Sequence, residues 1–219
     1  MNEVMIDLLK RGVLESLYMT GVSTVISYIL GIPLGIIVFI TDGKGICRNR
    51  PVNFIFGLVI NIIRSIPFLI LLVAMLPFTR AIVGTTIGAN ATIVPLVAAA
   101  TPFVARLVES SLKEVDTGVI EAARAMGASP IKIIWKVLLP EAKPSLMVGL
   151  TIAFATILGY SAMAGFVGGG GLGAIAINYG YYRYQNDMIL ITVVLLVIIV
   201  QLFQEIGTRT VNRLDKRLK

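Results

Sequence analysis

The side chains able to do chemistry are few and unevenly placed. The chain holds no histidine, and Cys47 is its single cysteine. Disulfides and His- or Cys-based metal centres within one chain are thereby excluded. Gly168–Gly173 reads GGGGLG and formally satisfies G-x-G-x-x-G. No βαβ unit surrounds it, so a glycine turn between membrane segments is the better reading. No G-x-x-x-x-G-K-[ST] occurs, so the chain carries no recognisable P-loop for ATP. Carboxylates are sparse in the apolar stretches and form no close pair there, which leaves a proton relay without parts. Two features remain. Arg64 is the one charge inside an apolar span. Val119–Pro144, VIEAARAMGASPIKIIWKVLLPEAKP, is a charged insert between two strongly apolar regions.

The insert has the pattern of two short helices hinged at glycine. Glu121–Met126 makes the first, with Gly127 at its left-handed C-terminal position. Ser129 can cap the second, and Pro130 fits its first helical position. Ile131, Ile134, Trp135 and Leu138 then fall at i, i+3, i+4 and i+7 as one apolar stripe, with Lys132 and Lys136 on another face. Glu121 with the small pair Ala122-Ala123 suits close helix contact with a protein. A helix lying on lipid would instead show Lys and Arg throughout its polar face. The insert therefore reads as a protein-docking element.

The elements that hold these features are membrane spans. The 219 residues are 57% apolar and 14% charged, against about 25% charged in a soluble domain. A transmembrane helix needs roughly 20 apolar residues. The sequence predicts five spans: Ser16–Thr41, Val52–Leu76, one inside Ala81–Ala105, Ser145–Gly165, and Met188–Gln204. The first contains Gly31-Ile-Pro-Leu-Gly35, a small-xxx-small spacing that permits close helix approach or marks a proline kink. The glycine run turns the chain at the outer surface, and Tyr179, Tyr181, Tyr182 and Tyr184 follow as an interfacial aromatic cluster. The N-terminus lacks a basic n-region and a cleavage site, and reads as mature sequence and not as a signal peptide.

Basic residues orient the spans. Fourteen lie on the side of the 41–50 loop, the insert and the tail; four (Lys10, Arg11, Arg80, Arg183) lie on the other. The positive-inside rule places insert and C-terminus in the cytoplasm and the N-terminus outside. The net charge of +7 thus reports topology and not nucleic-acid binding. Buried in a span, Arg64 costs a few kcal/mol, so it faces protein or water, or snorkels to a headgroup. Tyr160, Ser161, Met163 and Ala164 follow the insert and suit a cavity passing a neutral side chain; ordinary helix packing accounts for them as well.

Glu121-Ala122-Ala123-x3-Gly127-x9-Val137-x-Leu139-Pro140 resembles the EAA loop of ABC importer permeases, with Val137 where the family usually has Ile. The resemblance implies an all-α polytopic protein of the type I permease fold. Its transmembrane domain covers 12–207, the coupling loop 117–144, and a short basic cytoplasmic tail 208–219. Glu121, Ala122, Ala123, Gly127, Ala128, Ser129, Leu139 and Pro140 would couple to a separate ATPase subunit, which binds the ATP and Mg. The chain itself would hold no cofactor and no metal, and would not be an enzyme. Arg64-Ser-Ile-Pro-Phe68, Ala162-Met-Ala-Gly165, Gly168–Gly173 and Asn178-Tyr-Gly180 look like the methionine-importer permeases. That subgroup implies a homodimer, two ATPase subunits, a lipid-anchored methionine-binding protein outside, and L- and D-methionine as substrates. A permease for another amino acid or small organic ion, and an ion-driven secondary carrier, are the alternatives; an integral-membrane enzyme lacks any catalytic constellation.

Overall fold

The computed structural model describes residues 3–214. The described residues are helical throughout, with short connections. Helix α1 spans Glu3–Thr41. At 1.5 Å rise its 39 residues reach about 58 Å, well beyond a 30 Å hydrocarbon core. It begins thirteen positions before Ser16 because its polar start (Glu3, Asp7, Lys10, Arg11, Glu15) consists largely of good helix formers. Lys10 also pairs with Asp7 one turn back, at 3.7 Å.

The second predicted span is not one helix. Helix α2 (Arg50–Ser65) stops before Pro67, and α3 (Phe68–Ala74) leaves at a 100° bend. Proline disfavours the α conformation at the preceding residue and lacks the N–H needed to continue the ladder. Helix α4 (Leu76–Val83) ends on Gly84, whose φ of 82° closes it. This moves the third span: α5 runs Ala89–Lys113 rather than within Ala81–Ala105. Its charged end continues as helix because Arg106, Glu109 and Lys113 neutralise one another along one face.

After the insert, α9 covers Lys143–Met163, a 3₁₀ turn Ala164–Val167, α10 Gly171–Ile175, a π turn Ala176–Tyr181, and α11 Asn186–Leu214. The last helix extends well past Gln204 into the predicted tail, whose final residues, 215–219, lie outside the described ones. Among the described residues four helices are long and apolar enough to cross a membrane, or five if the bent pair α2–α3 counts as one. The glycine run turns the chain with Gly168 and Gly170 at positive φ, and it packs inside its unit. Gly169, Gly171 and Gly173 are buried, and Thr92 Oγ1 donates to the Gly169 carbonyl at 3.1 Å.

The residues form two compact units. One comprises α1 up to Ser27 with Ile66–Ala100 and Ala153–Glu205. Its core is Met19, Leu72, Leu96, Ala100, Ile157 and Ala164, with Phe68 stacked on Tyr160 at 4.6 Å. The other comprises Tyr28–Ser65, Thr101–Ile152 and the chain from Ile206 onward. There Gly31 and Gly35 seat α1 on α5: a Cβ on Gly35 would stand 2.6 Å from the Ala105 carbonyl oxygen. The small-xxx-small spacing thus serves packing within the chain.

Candidate functional site

The insert is built from its caps outward. Asp116 accepts the Gly118 N–H at 2.6 Å and starts α6 at Thr117, four residues before Glu121. The predicted helix Glu121–Met126 therefore becomes Thr117–Ala125. Its end forms as expected. Gly127 has φ 75°, its N–H reaches the Arg124 carbonyl, and the Ala128 N–H reaches that of Ala123. These two bonds make a Schellman cap. Ser129 Oγ then accepts from Lys132 N at 3.4 Å, and Pro130 opens α7 (Pro130–Ile133).

The second helix departs from the predicted stripe. Ile134–Leu138 is a π turn, followed by α8 (Leu139–Glu141). Pro140 has no N–H to offer Lys136 and its ring crowds that carbonyl. The Leu139 N–H instead reaches back five residues to the Ile134 carbonyl. The wider turn buries Ile133 and Leu138, five apart, and leaves Ile131 70% and Trp135 65% exposed. Met126, 81% exposed, stands at the hinge between the two helices. Of the small pair, Ala123 is buried and Ala122 exposed, so one packs inward and the other is free for contact.

Glu121 lines a cavity of about 310 Å³ together with Asp42, Lys44 and Arg124. Arg124 donates to the Gly45 carbonyl at 3.5 Å, bracing α6 on the loop after α1. A second brace, missed in the sequence, lies on α5. Glu109 is 6% exposed and accepts from Arg106 at 2.5 Å and Lys113 at 2.6 Å. Arg106 also donates to Asn61 Oδ1 of α2 at 2.8 Å. The signal was available in the sequence as an acid flanked by bases at i−3 and i+4. Glu109→Gln removes one charge from this network and is expected to cost about 2 kcal/mol. It should lower the thermal unfolding midpoint of the purified chain by roughly 4–8 °C. An unchanged midpoint would show that the network is structurally idle.

The residues expected to line a path do not share one environment. Ser161 and Ala164 are buried, and Ser161 Oγ donates to the Leu158 carbonyl at 2.8 Å. Tyr160 is half-buried against Phe68, and Met163 is exposed. Arg64 is exposed in the last turn of α2, where a cation complements the helix dipole. It makes no ion pair among the described residues.

Residues 31–219 match the family described as the binding-protein-dependent transport system inner membrane component. The chain is 52% identical over 211 residues to the probable D-methionine transport system permease protein MetI of Vibrio cholerae, covering 96% of this chain and 94% of that one. It is 52% identical over 165 residues to the D-methionine transport system permease protein MetI of Escherichia coli K12, covering 75% and 76%. A solved structure described as an inward-facing conformation of the MetNI methionine ABC transporter superposes with TM-score 0.97 at 50% identity, covering 99% of this chain and all of that one. An amino acid ABC transporter at 19% identity and TM-score 0.80 shares the fold. The chain belongs to the family of binding-protein-dependent transport system inner membrane components and is an ABC transporter permease subunit.

Proposed function

We propose that the chain carries methionine, in L and D forms, across the cytoplasmic membrane as the permease of an ATP-driven importer. The observation that carries this reading is near-full-length identity of 52% to a permease named for D-methionine transport. Two copies pair about a two-fold axis, since one chain has few helices with which to enclose an aqueous path. With the bent α2–α3 pair taken as one of five spans the termini lie on opposite sides, and the excess of basic residues in the insert and tail supports an outer N-terminus and a cytoplasmic insert and C-terminus. A methionine-binding protein delivers substrate from outside.

Two ATPase subunits hold ATP and Mg and receive the inserts. The exposed Met126, Ile131 and Trp135, with Lys132 and Lys136 beside them, support that docking role. ATP-driven closure of the ATPase pair draws the two inserts together and rocks the spans between inward- and outward-open states. Docking must differ in free energy between the two states, because equal affinity would shift nothing.

Uptake of labelled L-methionine tests the reading, in cells with and without this chain and with D-methionine and other amino acids as competitors. Uptake should depend on the chain and fall with D-methionine alone among the competitors. Competition by an unrelated amino acid would assign a different substrate to the same architecture. Transport by the purified chain alone in liposomes, with no ATPase, would overturn the ATP-driven reading.

A further inference from the structure

Away from the insert lies a pocket of about 280 Å³. Leu8, Arg11 and Glu15 of α1 form part of its lining, with Ile175, Asn178 and Tyr179 and the Gly170–Gly171 backbone completing it. Arg11 and Glu15 stand four apart on one helix, where opposite charges ordinarily pair. They do not pair here: among the described residues neither takes part in an ion pair such as Lys10–Asp7, Arg106–Glu109 or Lys113–Glu109. Glu15 is held elsewhere, its Oε2 accepting the Gly171 N–H at 2.7 Å. Next to it, Ser16 Oγ accepts the Leu172 N–H at 2.9 Å.

The two glycines make this approach possible. A Cβ on Gly170 would stand 2.9 Å from Glu15 Oε2, and one on Gly171 2.6 Å from Ser16 Oγ. The pocket thus offers an unpaired guanidinium, a carboxylate anchored through one oxygen with the other free, an exposed amide and two apolar side chains. Its volume sits just below the roughly 300–1,000 Å³ usual for drug-sized ligands. That size suits a single amino acid.

We infer that this pocket takes a free α-amino acid zwitterion with a neutral side chain. The ligand carboxylate meets the Arg11 guanidinium, which can bond both of its oxygens. The ammonium meets Glu15 Oε1, Asn178 adds a hydrogen bond, and Leu8 and Ile175 cover the side chain. The inference rests on the proposed topology and substrate, and gives the transported molecule a holding site on the outer side of the permease itself.

The test is equilibrium binding of labelled L-methionine to the purified permease–ATPase complex in lipid nanodiscs, without binding protein, with the isolated ATPase measured in parallel. Wild type should bind methionine beyond the ATPase's own capacity. Methioninamide, which lacks the carboxylate, and N-acetylmethionine, which lacks the ammonium, should fail to compete. Arg11→Gln should weaken that binding at least tenfold, and Arg11→Lys less. Arg11 is exposed and unpaired, so these variants should leave the fold intact, whereas Glu15 also holds Gly171 and is left unchanged. Binding unaltered in Arg11→Gln, or equal competition by both derivatives, would overturn the pocket. ATP-driven methionine uptake by the same complex in sealed liposomes, with the binding protein supplied, would then still uphold the proposed substrate. Arg11-dependent binding of a different zwitterionic amino acid in place of methionine would uphold the pocket and overturn the substrate.

Discussion

Glu121→Lys is expected to abolish methionine uptake while the chain still inserts in the membrane. Glu121 is exposed on α6 and shares its cavity with Asp42, Lys44, Lys113 and Arg124, so a fourth cation there leaves Asp42 as the one carboxylate among them. Like charges in contact repel by an amount comparable to what opposite charges gain. The proposed partner surface then meets a lysine where it fits a carboxylate. A loss of more than about tenfold in uptake corresponds to a coupling change above 1.4 kcal/mol, within the usual allosteric range. Gly127→Val should act in parallel by a different route. A Cβ at Gly127 meets open space, so sterics with neighbours are not the cost. The cost is the φ of 75°, which a β-branched residue rarely adopts. Straightening that hinge removes both bonds of the Schellman cap and re-aims α7. Uptake, membrane yield and co-purification of the ATPase should be measured together. Full uptake by an assembled Glu121→Lys complex would end the docking proposal.

The larger effect on folding is expected at Gly173. A Cβ there would overlap the Ala162 carbonyl oxygen and stand 2.6 Å from the Ala162 Cα. Gly165 lies against the same strand of backbone, its own would-be Cβ 2.5 Å from Ala174 N. Both obstacles are main-chain atoms, which cannot swing aside as a side chain can. Gly173→Val should therefore cost more than the 1–3 kcal/mol typical of overpacking and eliminate folded protein from the membrane. Recovery at wild-type levels in a fluorescence-detected size-exclusion profile would contradict the close packing described for this turn. Gly84→Ala is the fitting comparison, because nothing lies within 4 Å of its would-be Cβ and only backbone strain is added. It should be tolerated far better.

Local chemistry in this chain was legible before any coordinates. Gly127 at a left-handed position, Ser129 as a cap and Pro130 at the first helical position are decided by neighbours within five residues, and all three are found. Arg64 marks where reading by composition alone stops. An apolar window around it reads as one span, yet Pro67 divides that window at a 100° bend. The proline was visible; whether the helix would continue through it, as it does at Pro95 and Pro102 inside α5, was not. The stripe over Ile131–Leu138 failed for a related reason, because Pro140 imposes a π turn and changes the period.

By itself the sequence determined a membrane chain, the hinge and caps of the insert, and the family it resembles. These follow from composition and from spacing, neither of which needs a fold. Only the tertiary structure decided that Glu109 is buried between two cations and that the glycine run packs inside its unit. It also decided that Glu15 holds the Gly171 amide from 156 residues away. Contacts between residues so distant in sequence leave no periodicity along the chain, since they depend on which helix faces meet.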